Sequence, residues 1–272
     1  MGAAVDDAAD VSDLRGWPHQ AALAWLKLTE RDRAAPGGHA NVGTVLNYRS
    51  FCLLAGLEVD RREAAGALLW RGSPWGELGW SGWGEPAALR RLLNAEGADG
   101  VNLPTDLAER LAGFRPQTGW TWHTVDAPLS LRPREAEVHW LERSDESEIT
   151  ALLQVAFPDA EAKPGDPRIA RWCGVRASAP PGLVAVAAAL WVGPSAGLLS
   201  SLAVHSTHRR EGLGATVTAW FVRRVLQQGA EVVGLGAYAT NTHARALYAH
   251  LGFAEESWVW GTLDRAWRQS SP

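Results

Sequence analysis

Two stretches of the 272-residue chain hold residue types at spacings that can do chemistry. The first is Arg209-x-x-Gly212-x-Gly214, which follows an apolar run over 199–204 and opens a helix-like segment over 216–228. A glycine-bearing turn between a strand and a helix lets several backbone N–H groups converge on one anion, and the helix dipole favours its charge. Glycine admits close approach of the backbone and Arg209 can add charge-assisted hydrogen bonds, so the stretch reads as a phosphate cradle. The second stretch runs Asn241-Thr242-His243-Ala244-Arg245-Ala246-Leu247-Tyr248 and closes with His250-Leu251-Gly252-Phe253. A phenol of pKa about 10 keeps its proton at neutral pH and can offer it to a developing anion.

Familiar nucleotide motifs do not account for the cradle. No Lys-Ser/Thr follows, as a P-loop demands, and Val217 stands where a dinucleotide fingerprint needs its third glycine. Composition narrows the partners further. The net charge of −4 gives no basic excess for nucleic acid. The two cysteines, Cys52 and Cys173, form no metal or disulfide pattern, which fits a reducing cytoplasm and predicts no metal. The acidic N-terminus does not resemble a secretory signal, and the longest apolar segment, 183–192, is far short of the roughly 20 residues of a membrane span. Fifteen tryptophans against one methionine read as core and interface packing.

The elements that must position these residues follow from pattern. Residues 1–14 read as a disordered acidic tail, and Pro18 opens an amphipathic helix. Apolar runs at 50–57 and 64–70 read as strands around a charged turn at 58–63, and 87–95 and 106–112 as helices. Beyond a proline-bearing linker at 128–134, strands are expected at 137–141, 171–175, 183–191, 198–204 and 231–238, with helices at 147–157 and 216–228.

The chain also echoes itself. Leu111-Ala112-Gly113-Phe114 with Trp120-x-Trp122 parallels Leu251-Gly252-Phe253 with Trp258-x-Trp260, and Leu89-Arg90-Arg91 parallels Val222-Arg223-Arg224. Several echoes in one order indicate two related halves, 1–130 and 135–272. Gly79-x-x-Gly82-x-Gly84 stands as the first half's counterpart of the cradle but lacks the arginine, and no Asn…Tyr pair precedes Gly113, so this half reads as degenerate.

Val204, Arg209, Gly212 and Gly214, followed by Asn241, Ala244, Tyr248, Leu251, Gly252 and Phe253, resemble the GCN5-related N-acetyltransferase (GNAT) superfamily, from about residue 135 onward. The resemblance implies an α+β (α/β) fold of two GNAT-like domains, each a mixed, splayed sheet flanked by helices. It implies acetyl-CoA as donor and a primary amine as acceptor, attacked directly in a ternary complex. Coenzyme A would lie along Leu202, Ala203 and Val204, with its pyrophosphate on Arg209, Arg210, Glu211, Gly212, Leu213, Gly214 and Ala215. Asn241 would contact the cofactor, the Val204 N–H would polarise the thioester, and Tyr248 would protonate the leaving thiolate. The run 198–204 offers Ser200 and Ser201 but no carboxylate, so a water chain is the expected base. His205, His208, His243 and His250 read as solvated side chains. The first half would wall the acceptor site of a monomer or homodimer in the cytoplasm, away from membranes. The tandem layout also resembles mycothiol synthase, and an acyl-CoA-binding scaffold without turnover is the reading from another class.

Overall fold

The computed structural model describes residues 60–64, 66–71, 79–178, 181–191 and 196–264. The acidic tail, the Pro18 helix and the strand over 50–57 lie outside these residues. The described chain runs β1 (Asp60–Ala64), β2 (Ala67–Arg71), β3 (Trp80–Gly84), α1 (Pro86–Ala95), β4 (Gly100–Pro104), α2 (Thr105–Arg110) and β5 (Phe114–Val125). After the linker come β6 (Val138–Leu141), α3 (Glu146–Ala156), β7 (Arg171–Ser178), β8 (Pro181–Trp191) and β9 (Ala196–Val204). Then α4 (Leu213–Gln227), β10 (Val232–Tyr238), α5 (Thr242–Leu251) and β11 (Ala254–Leu263) complete it.

The charged segment expected as a turn over 58–63 is, from Asp60, the strand β1. Among the described residues it is the outermost strand of the sheet, and its charged side chains include Arg62, paired with Glu96 at 2.6 Å. The Gly79–Gly84 stretch corrects a second expectation, because it is strand β3 and not a cradle. Its glycines serve packing: a β-carbon at Gly82 would meet Leu89 and Leu103 at 2.9 and 3.0 Å, and one at Gly84 would strike the Gly66 carbonyl.

The eleven strands among the described residues form one mixed sheet in the order β1-β2-β3-β4-β11-β5-β10-β9-β8-β7-β6. The mixed sheet flanked by helices is present, but the two sheets implied by the resemblance are fused. β5, from the first half, lies between β10 and β11, and β11, from the second, lies between β4 and β5. Each half contributes its last strand beside the other half's parallel strand. In the β5–β11 ladder Trp258 faces Trp120, Trp260 faces Thr118 and Glu256 faces Trp122, so the two Trp-x-Trp segments meet in antiparallel register.

Side chains opposite each other on neighbouring strands share a face. On one face α1 and α2 pack over Leu69, Leu103 and their neighbours, and α4 and α5 pack over Val233 and Leu235. On the other, Ile149, Leu152 and Leu153 of α3 share a core with Trp70, Trp122 and Trp258, each at most 1% exposed. Trp258 stacks on Trp120 at 5.7 Å and meets Trp70 edge-on at 6.1 Å. The tryptophans thus hold the two halves to each other. Because β5 and β11 belong to both halves' sheets, urea should unfold the protein in a single transition. Trp258→Ala should lower the unfolding free energy by about 3–5 kcal/mol without splitting that transition; two separated transitions would contradict the shared core.

Candidate active site

β9 and β10 are parallel neighbours that pair at only three positions, Val232 with Ala196, Val233 with Gly197 and Gly234 with Leu198. Beyond these the strands part. A β-bulge helps turn β9 away: its ladder to β8 shifts register opposite Ala187, and Ser201 takes a left-handed φ of 49°. The Ser201 hydroxyl accepts from the Ala162 N–H at 2.8 Å, which fixes the bulge against the loop after α3. Past the bulge, His205 N donates to Val184 O at 2.8 Å. Antiparallel ladders alternate, so the peptide groups of Val204 turn away from β8 and into the opening between β9 and β10.

The cradle closes one end of this opening. Arg210 and Gly212 both have left-handed φ, 66° and 81°, so the turn before α4 is a run of alternating backbone conformations with its N–H groups gathered inward. Thr216 N is the first amide of α4 bonded back to the turn, at 3.0 Å to Gly212 O, which leaves the N–H groups of Leu213, Gly214 and Ala215 at the cleft. Gly212 is needed for its φ, since nothing lies within 4 Å of a β-carbon there. A β-carbon on Gly214 would meet protein only at ordinary distances, Leu247 at 3.4 Å being nearest, so its absence leaves room for a ligand.

Two side chains of the cradle are engaged otherwise than the sequence suggests. Arg209 donates to Val204 O and to Ala156 O, the last helical residue of α3, at 3.3 Å each. It fastens the cradle to two orphan carbonyls. Glu211 accepts from Arg134 of the linker at 3.1 Å and lies 3.3 Å from His208, and it does not line the cleft. Arg210 makes no hydrogen bond or ion pair with the described residues and faces the cleft, so it is the cation available to an anion there.

The Asn…Tyr segment explains itself as a helix with two locked ends. Asn241 caps α5, its Oδ1 accepting from Ala244 N at 3.1 Å, while its side-chain amide nitrogen has no partner among the described residues. Gly252, with φ 90°, ends the helix, and Phe253 N donates back to Tyr248 O at 3.0 Å. That closure lays the Phe253 ring 5.7 Å from the Tyr248 ring. The Leu-Gly-Phe part of the motif is therefore a positioning device for Tyr248. Burial, with the ring 6% exposed, pushes the Tyr248 phenol above its usual range, so the phenol stays protonated.

His123 completes this corner. It is fully buried on β5, its ring 5.1 Å from that of Tyr248 and its Nε2 2.9 Å from the Thr121 hydroxyl. Burial drives its pKa down to about 4, against the opposing pull of Glu255 3.8 Å away. Glu255 is claimed by Arg245, one turn before Tyr248 on α5, at 2.6 Å, and that hydrogen bond holds the carboxyl below its usual range. Cys173 is buried and its thiol pushed up to about 12, which makes it inert.

One cleft of about 1430 Å³ joins these parts. Leu202, Ala203, Val204, Arg209, Arg210, Gly212, Leu213, Gly214, Ala215, Asn241 and Tyr248 all line it, so of the residues expected at the site only Glu211 is absent. His208 and His243 line it too, at the cradle end. It also takes in groups the motifs do not reveal: Asp159 and Glu161 from the loop after α3, and Ser81, Asn102, Thr118, Trp120 and Trp260 on or beside the strands of the first half. The fold gathers them from five separate parts of the chain, the loop over 157–167 and the first half being where the sequence places acceptor specificity. No group of three metal-ligating side chains occurs among the described residues. Nor is any described helix long and apolar enough to cross a membrane.

This is the GNAT fold. A GCN5-related N-acetyltransferase from Kribbella flavida superposes with a TM-score of 0.54 at 17% identity, covering 82% of this chain and 96% of that one. A GNAT-family acetyltransferase from Colwellia psychrerythraea gives 0.50 at 12% identity, covering 88% and 97%. Residues 176–260, the segment that holds both motifs, match the FR47-like protein family. No curated protein matches the chain in sequence.

The His123 environment has a pH signature. Its folded pKa near 4 lies below the ordinary value of about 6.5, so the folded state takes up this proton later than the unfolded chain does. The stability it contributes is complete above about pH 6.5 and is lost as pH falls through about 4. Urea midpoints measured from pH 7 to 4 should fall, and His123→Gln should flatten the part above pH 4.5. An unchanged profile in that variant would place the acid sensitivity elsewhere.

Proposed function

We propose that the chain is an acetyl-CoA-dependent N-acetyltransferase that moves an acetyl group to a primary amine within a ternary complex. The observation that carries this reading is the parting of β9 from β10, with a helix N-terminus at one end of the gap and a buried phenol at the other. A thioester carried on a long polar arm with a pyrophosphate behind it fits that sequence of groups. The N–H groups at the start of α4 and the Arg210 guanidinium suit the pyrophosphate. The inward-turned peptides of Leu202 and Val204 suit the amide-bearing arm, and the Val204 N–H suits the thioester oxygen as charge builds on it. Asn241 has a free amide nitrogen to offer the cofactor.

The amine must be neutral to attack the thioester carbon. Its nitrogen forms the new C–N bond, the C–S bond breaks, the proton lost by nitrogen passes to water or a carboxylate, and the thiolate takes a proton or a strong hydrogen bond from Tyr248. β9 has no carboxylate, so Asp159 or Glu161 acting through water is the available route for the amine's proton. The chain is read as two related halves, 1–130 and 135–272. In both, three antiparallel strands lead by a helix to a parallel strand, then by a second helix to a long final strand. The first half lacks the cradle and supplies the floor of the cleft beyond the thioester.

Thiol release from acetyl-CoA with a panel of primary amines tests the activity. Tyr248→Phe should lower kcat by about 100-fold or more while leaving the dissociation constant for coenzyme A within about twofold. Tight coenzyme A binding with no turnover on any amine would reject catalysis in favour of a binding role.

A further inference from the structure

Beyond Tyr248 the cleft floor is a single row of side chains crossing four strands. Ser81 on β3 faces Asn102 on β4, Asn102 faces Trp260 on β11, and Trp260 faces Thr118 on β5. Opposite residues share a face, so the row runs about 14 Å at roughly 4.8 Å per strand. It lies on the α3 face, and Trp120, two residues from Thr118, extends it. The row is set in place. Trp120 Nε1 donates to Asn102 Oδ1 at 3.3 Å, which orients the amide and leaves its nitrogen as a donor. The Trp260 ring lies over Gly100, where a β-carbon would meet it at 3.2 Å. Ser81 is 2% exposed, lines the cleft and makes no hydrogen bond with the described residues. Its hydroxyl opens to the cleft and is available to a polar group that enters there.

The charges are divided along the cleft. Among the described lining residues every basic side chain, His208, Arg209, Arg210 and His243, belongs to the cradle or the start of α5. The acids, Asp159 and Glu161, come from the loop whose Ala160 and Ala162 join the tryptophan core, and they line the same cleft as the row. A protonated amine arriving there meets Asp159 and Glu161, the latter in only a long 3.9 Å ion pair with Arg168, which Asp166 holds at 2.6 Å; a carboxylate on the acceptor would meet mostly like charge.

Resting on the acetyltransferase reading, we infer that the acceptor is a primary amine whose neighbouring substituent is a neutral amide or hydroxyl and not a carboxylate. Ser81 and Asn102 hydrogen-bond that neutral group, Trp120 and Trp260 pack its apolar body, and Asp159 and Glu161 draw in the ammonium. These are specificity residues contributed equally by the two halves, Ser81, Asn102 and Trp120 by the first and Trp260, Asp159 and Glu161 by the second.

Matched probes test this: L-phenylalaninamide against L-phenylalanine, and L-serinamide against L-serine, with acetyl-CoA saturating. The amides should show kcat/KM at least about 10-fold higher than the acids. Ser81→Ala and Asn102→Leu should each raise the amide KM about 3- to 10-fold, the loss of one hydrogen bond, with the acetyl-CoA KM unchanged. Asp159→Asn combined with Glu161→Gln should narrow the gap between amide and acid. Free amino acids used as well as their amides, or variants that move the acetyl-CoA KM instead, would overturn the inference. Calorimetric titration of the same probes into the coenzyme A complex separates the two claims. Selective amide binding without turnover sinks acyl transfer and keeps the recognition, and binding without preference sinks the recognition whatever the turnover.

Discussion

The site depends on two parallel strands that stop pairing. β9 and β10 share three register pairs and then separate, exposing peptide groups that a sheet interior would otherwise satisfy. An open seam of that kind closes or aggregates unless both strands are held from their outer sides. β8 holds β9 along most of its length, with the Ser201 bulge bending it outward, and β5 holds β10 over six pairs from Val233 to Tyr238. The strand that keeps the gap open therefore comes from the first half of the chain.

This couples the halves more closely than adjacency would. The Trp120–Trp258 stack and the β5–β11 ladder join the sheet, His123 on β5 packs on Tyr248, and Arg134 of the linker braces the cradle through Glu211. The first half shapes the seam, packs His123 against the phenol of Tyr248 and lines the cleft with Ser81, Asn102, Thr118 and Trp120.

Some of this was legible in the sequence and some was not. The cradle and the capped helix of Tyr248 were, because each is a local device whose glycine, asparagine and aromatic spacing is set by backbone geometry. The Trp-x-Trp echo was legible as a repeat, but not as the ladder in which Trp120 meets Trp258, since alternation along a strand says nothing about its partner. The bonds of Arg209 to the carbonyls of Val204 and Ala156 were not legible, because an arginine in a phosphate loop suggests an anion first and only the fold brings those carbonyls within reach. The individual roles of His123, Asp159, Ser81 and Asn102 were not legible, because each is a single polar residue in an ordinary strand or loop and only the fold brings it to the site.

The claim on which the rest turns is that the seam between β9 and β10 is the place where coenzyme A binds. Amide hydrogen exchange with and without coenzyme A measures this directly. The account expects new protection at the amides of Leu202, Val204, Leu213, Gly214 and Ala215, with β7 and β8 unchanged. Binding that protects other amides and leaves these five exchanging at their free rate would contradict it.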